Sequence, residues 1–206
     1  MASSSAFRMK VTALTPLAAL SVLIVPVACF RLVPNGEMSG PEPQIKLIRA
    51  ENVTVDNFKP YGQLQQAQVD GKEFNDEDAA LQLDRGTPRF YIMRLPQRGL
   101  SFSTITRHKQ VTQCLGAING EPWYMAVAPP DLSSSRPDVE RLKVFRIPGD
   151  AFIKMEIGTW HAGPLFDQPH PVSFYNLELS DTNLVDHETY DFSRSDGVTY
   201  LIEKEA

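Results

Sequence analysis

The chain has 206 residues, 42% of them hydrophobic and 22% charged, the balance of one ordinary globular domain with an appendage. Its formal charge is −5, and without the three basic and one acidic residues of the first 40 the body keeps 17 basic against 24 acidic residues, a net of −7. That excludes a protein that grips nucleic acid or an anionic membrane surface, because either partner needs a basic face that releases counterions. Attraction for a small anionic ligand has to be local.

The first 40 residues are a different kind of sequence. MASSSAFRMK is Ser-rich and weakly basic, and it leads into an uncharged apolar run from Val11 to Phe30. A run of roughly 20 residues can span a bilayer, but Pro16 and Pro26 interrupt this one. Three readings stay open: a secretory signal, an organelle (plastid) transit peptide and an uncleaved anchor. Residues 1–40 are therefore read as a targeting or apolar leader with its linker, GEMSGPEPQ from Gly36, and residues 45–206 as a single domain whose core makes no stable membrane association. Cys29 lies in the leader and Cys114 is alone in the body, so the domain is expected to hold no disulfide, with Cys114 a small buried apolar residue. Asn52-Val53-Thr54 matches a glycosylation sequon, which matters only on a secretory route.

From Ile45 onward, KLIRAENVTVDNFKPYGQL predicts a strand and then a short helical turn, capped by Asp56 and stopped by Pro60 and Gly62. Gln65 to Asp84, rich in Gln, Asp and Glu, reads as loop, its acidic run Asn75 to Asp78 solvated. Strands are predicted at Arg89–Leu95, Leu100–His108, Trp123–Ala128, Leu142–Ile147, Ala151–Ile157, Val172–Leu179 and Val198–Glu203, each rich in β-branched and aromatic residues and bounded by turn formers. Sixteen prolines and twelve glycines spread along the chain punctuate it into such short pieces. Many short strands at this spacing predict an all-β sandwich or barrel.

Two stretches gather the chemistry. In Thr106 to Pro130 a strand runs out at His108, a loop carries Gln113, and Asn119-Gly120 turns into the next strand. Side chains alternate along a strand, so His108 shares a face with Thr106 and Thr104 while Arg107 points the other way. The second stretch, GTWHAGPLF from Gly158 to Phe166, holds one of only four histidines directly after a tryptophan. His170 between two prolines and His187 between Asp186 and Glu188 read as loop surface residues. Trp123 and Trp160 read as core aromatics before ligand stackers, given the area each buries.

The two stretches resemble motifs of the cupin superfamily and, more closely, of the ureidoglycolate lyase family, often labelled ureidoglycolate hydrolase. Arg107, His108, Gln113 and Gly120 follow the order of its first motif, and Trp160, His161 and Pro164-Leu165-Phe166 that of its second. Phe58, Tyr61 and Gly62 resemble its opening segment, and Ser180-Asp181-Thr182-Asn183 its closing one. The resemblance covers about Ile45 to Tyr200 and implies a cupin-like double-stranded jelly-roll β-barrel with a few short helices. It also implies a homodimer that cleaves ureidoglycolate to glyoxylate and urea in the recovery of nitrogen from purines. In that reading His108 and His161 are catalytic, sharing the roles of base and acid, and Arg107, Gln113, Trp160, Asp181 and Asn183 bind substrate, a small anion.

The chain departs from the family pattern at Thr106, where a glutamate is common, at Ala162, where a second histidine is common, and at Glu178-Leu179 in place of an Asp-Arg pair. Gln113 stands where metal cupins carry a ligand glutamate. Two histidines with neutral oxygens make a poor transition-metal site, so neither metal nor another cofactor is expected. For the substrate carboxylate, Arg107, Arg89, Arg94 and Lys154 are the candidate cations, a bidentate arginine fitting best. The alternative from another class is a non-catalytic cupin-like module that binds a small carboxylate or ureide.

Overall fold

The structure, a computed structural model, describes residues 44–204. The expected leader over residues 1–40 lies outside them. Among the described residues no helix is long and apolar enough to cross a membrane, a statement that does not bear on β-barrels.

The chain opens with β1 (Gln44–Asn52), the helical turn α1 (Val55–Phe58) and β2 (Gly62–Gln65). After a long loop come β3 (Pro88–Leu95), β4 (Ser101–Phe102), β5 (Thr104–Arg107), β6 (Gln113–Ala117) and β7 (Gly120–Ala128). A 3-10 turn at Val139–Arg141 precedes β8 (Lys143–Gly149), β9 (Phe152–Met155), β10 (Trp160–Leu165) and β11 (Val172–Leu179). Two further short helices, α2 (Thr182–Val185) and α3 (Phe192–Asp196), flank β12 (Glu188–Asp191), and β13 (Val198–Glu203) closes the fold. The all-β expectation holds: curled sheets form a half-barrel of the cupin type.

Local details differ from the expectation where backbone partners, invisible in one strand's sequence, decide. The cap of α1 is Thr54, not Asp56: the Thr54 hydroxyl accepts from the Asn57 amide while the Asn57 side chain accepts from the Thr54 amide, a reciprocal capping box. The predicted strand at Leu100–His108 is broken at Ser103 because β4 pairs with β13 while β5 pairs with β12 and β10. Gln113, expected on a loop, opens strand β6, which lies between β9 and β11.

An eight-stranded sheet in the order β12-β5-β10-β7-β8-β1-β13-β4 faces a five-stranded sheet in the order β2-β9-β6-β11-β3. Strand alternation divides the apolar residues between two cores. On β7, Trp123, Met125 and Val127 point into the space between the sheets, together with Phe145, Ile147, Phe166 and Phe174. Tyr124, Ala126 and Ala128 point to the opposite face, which Trp160, Phe192, Tyr200 and Ile202 cover. The central strand is thus buried on both sides, and the hairpin that positions it is tight. Gly120 has φ 74° and sits opposite Gly149, where an added Cβ would lie 1.9 Å from the Gly120 carbonyl carbon. Gly149→Ala is expected to cost about 1–3 kcal/mol of unfolding free energy, as overpacking does, read as a lower urea midpoint at unchanged slope.

Candidate active site

The same alternation carries polar residues to one end of the space between the sheets. On β11, Val172 and Phe174 belong to the apolar core, and Asn176 and Glu178, next on that face, line a cavity of about 660 Å³. On β6, Leu115 and Ala117 face the core while Gln113, at the strand's start, lines the cavity. Thr104, Thr106 and His108 come from the other sheet, as their shared face predicts, and His161 alternates with Trp160 on β10. Thr106 pairs with His161 on one side and Thr189 on the other, so three strands present one polar row.

His108 and His161 have ring centroids 5.0 Å apart. Each is anchored through Nδ1: in His108 it donates to the Asp186 carbonyl at 2.5 Å, and in His161 to the Thr159 carbonyl at 3.1 Å. A carbonyl only accepts, so Nδ1 carries the proton in both rings and Nε2 keeps its lone pair. Burial lowers the pKa of His108, against the opposing pull of its bond to Asp186. Burial and then the neighbouring His108 ring lower that of His161 further, to about 3. Both imidazoles are neutral at pH 7.

The stretch around His161 explains itself in these contacts. Gly158, at φ 84°, sends its amide to the His108 carbonyl at 2.7 Å, tying the two histidine segments together. The Thr159 hydroxyl donates to the Tyr61 carbonyl at 2.8 Å while its own carbonyl holds the His161 ring. On the other side, the Asp186 carboxylate accepts from the amides of Lys109 and Gln110 at 2.7 and 2.8 Å, fixing the turn that follows His108.

Glu178 organises the opposite wall. Gln113 Nε2 donates to its Oε2 at 2.9 Å, and the Tyr91 hydroxyl and Asn183 Nδ2 donate to its Oε1 at 3.1 and 3.3 Å. Asn176 Nδ2 donates in turn to the Tyr91 oxygen at 3.1 Å.

Of the residues expected to bind substrate, Gln113 and Asn183 line the cavity beside the two histidines, and Arg107, Trp160 and Asp181 do not. Arg107 lies on the far face of β5, fully buried, with Nε and Nη2 each 3.0 Å from the Glu188 carboxylate and its guanidinium 4.3 Å from the Trp160 ring centre. Its Nη1 donates to the Asp131 carbonyl. Trp160 is core on that face, and Asp181 precedes α2 as its N-cap without a side-chain cap bond. The pairing with Glu188 and the stack on Trp160 were beyond reach of the sequence, since residue 188 lies 81 positions away. Arg107→Met is expected to lower the melting temperature by several degrees, through loss of a buried bidentate pair, while leaving turnover per folded molecule within about threefold.

None of the other candidate cations reaches the cavity either. Arg89 stacks on Tyr91 and lies opposite Glu178 in the β3–β11 register without lining the cavity, Arg94 is exposed, and Lys154 is buried against Glu156. The cation that does line it is Arg98, in the turn between β3 and β4, with no hydrogen bond or ion pair among the described residues. His187, read as a surface residue, is exposed but also lines the cavity, its ring 5.8 Å from His108. The only sequence signal beside Arg98 is Gly99, which takes a φ of 72° in that turn.

Among the described residues no group of three or more His, Cys, Asp or Glu side chains is placed to hold a metal ion. Thr106 and Gln113, beside the two histidines, offer neutral oxygens, which are weak ligands for zinc or iron.

A half-barrel with a polar, histidine-bearing cavity between two sheets defines the class, a cupin-like fold with a candidate site between its sheets. The family model for ureidoglycolate lyase matches residues 45–194. The chain belongs to the ureidoglycolate lyase family. No curated protein matches it.

Proposed function

We propose that this protein cleaves the C–N bond of ureidoglycolate to release glyoxylate and urea, without a metal. The observation that carries this reading is the pair of neutral, backbone-anchored imidazoles 5.0 Å apart in the cavity. The reaction needs a proton moved from the substrate hydroxyl to the departing nitrogen. A free Nε2 takes the hydroxyl proton, the C–O bond becomes the aldehyde of glyoxylate, and the C–N bond breaks with its electron pair on nitrogen. The imidazolium so formed returns its proton to that nitrogen, giving urea and restoring the neutral ring. With both rings neutral at pH 7, the acid is the imidazolium that the first proton transfer makes. Arg98 holds the carboxylate, and the amides of Gln113 and Asn183 orient the ureido group.

The test follows glyoxylate released from racemic ureidoglycolate, above its spontaneous breakdown, with and without chelator. Release that survives chelation supports the reading, and its absence from folded protein with metal restored overturns it. One observation favours a second reading, binding without turnover: the Thr106 hydroxyl, where the family commonly has a carboxylate, is 2.9 Å from that of Thr189 and is no base. Under that reading His108→Ala weakens binding and there is no turnover to lose.

A further inference from the structure

The cavity carries charge of opposite sign at its two ends. Glu178 is 1% exposed and accepts only from neutral donors, and among the described residues it makes no ion pair, although Arg89 lies opposite it in the β3–β11 register. Arg98 lines the same cavity from an exposed turn, also without an ion-pair partner. A ligand carboxylate finds an unpaired cation at the exposed end, whereas the buried end presents the Glu178 carboxylate.

The buried end also lacks donors. Because the Gln113 amide nitrogen is committed to Glu178, Gln113 Oε1 is left buried with no partner. Because the Asn176 nitrogen is committed to Tyr91, whose hydroxyl hydrogen goes to Glu178, Asn176 Oδ1 is left in the same condition. Turning either amide over would set its oxygen against another acceptor. Glu178 therefore fixes the orientation of both side chains, which are 7% and 2% exposed. A carboxylate has about four lone-pair sites, and three are used. Two orphaned carbonyl oxygens and one open carboxylate site remain, and buried acceptors without donors are costly to leave unmet.

We propose that Glu178, through Gln113 and Asn176, makes the buried end of this cavity an N–H-selective subsite that takes the three N–H bonds of a ureido group, with the ligand's carboxylate turned out to Arg98. This rests on the ureidoglycolate reading for the identity of the ligand, but it assigns Glu178 and Asn176 a recognition role that the reaction does not require.

The test compares two unreactive anions by calorimetric titration of the full chain. Ureidoacetate keeps the carboxylate and the ureido group and lacks the substrate hydroxyl; levulinate has the same chain length and charge with CH3 and CH2 in place of NH2 and NH. The wild-type protein is expected to bind ureidoacetate about tenfold or more tightly than levulinate, as unmet buried acceptors dictate. Glu178→Gln, which removes the acceptor that holds both amides, is expected to bring that ratio close to one by weakening ureidoacetate alone. Asn176→Leu is expected to lower the ratio in the same way, and retained levulinate binding reports that each variant is folded. A wild type that does not distinguish the two anions, or variants that keep the wild-type ratio, overturn the proposal. Glyoxylate release by the same wild-type preparation separates the two claims. Preference without release removes the lyase reading and leaves the subsite, whereas release without preference removes the subsite alone.

Discussion

His161→Ala is expected to lower kcat for glyoxylate release by about 10²–10⁴-fold, the range of a positioned general base or acid. The ring is held by the Thr159 carbonyl and buried to 9% exposure, so removing it leaves a small polar void in a rigid strand. His108→Ala should fall in the same range. The two losses should not add in the double variant, because rings 5.0 Å apart handle one proton between them. Steady-state kinetics on folded single and double variants check this. A double variant whose loss equals the product of the single losses would mean that the histidines act in separate steps. A single variant that keeps wild-type kcat would remove that histidine from the chemistry.

The second large effect is on acid stability. The folded pKa of His161 is pushed down to about 3, mainly by burial, while an unfolded histidine titrates near 6.5. Below pH 6.5 the unfolded chain therefore binds a proton that the folded chain refuses. Stability rises with pH in this window and is lost on acidification from 6.5 towards 3. For His161 alone the loss is about 2 kcal/mol between pH 6.5 and 4.5, and His108, lowered in the same direction, adds to it. Urea unfolding at both pH values should show the fall, and His161→Gln should make it shallower. The same shift acts on activity. Because His161 stays neutral across this range, a reaction that uses it as base should keep its kcat/KM from pH 7.5 down to 6, where a base with an ordinary histidine pKa would have lost most of its working form. A profile falling with a midpoint at 6.5 would show that solvent reaches the ring in the free protein.

Much of the site was legible because β-structure has a period of two. Thr104, Thr106 and His108 were placed on one face and Arg107 on the other by counting alone, and the structure keeps that division. Yet the same count could have withdrawn Arg107 from the binding residues. Trp160, directly before His161 on β10, is removed from the cavity by the same rule. Gln113 reads as a loop residue in the sequence, and its pairing with β9 and β11 makes QCLGA a strand. Arg98 and His187 left no periodic signal, being carried by turns whose direction is set by the sheets they join. Glu178 stood out in the sequence only as a departure from the family pattern. Its role comes from Tyr91, Gln113 and Asn183, brought to it across two strand pairings and a following helix.

The sequence by itself determined what local and compositional physics controls. The chain is all-β because β-branched and aromatic runs recur between turn formers, its net acidic body is expected to disfavour a polyanion, and the ordered motifs around His108 and His161 resemble those of the family to which the chain belongs. The tertiary structure decided what depends on approach between distant segments. It set the neutrality of both imidazoles at pH 7, through burial, and it brought Arg98 to the cavity lining while leaving the four expected cations out of it. It also set the orientation of the amides around Glu178. A pKa, an ion pair and an orphaned acceptor each depend on what lies within a few ångströms, and in a two-sheet fold those neighbours come from strands up to 80 or more positions apart.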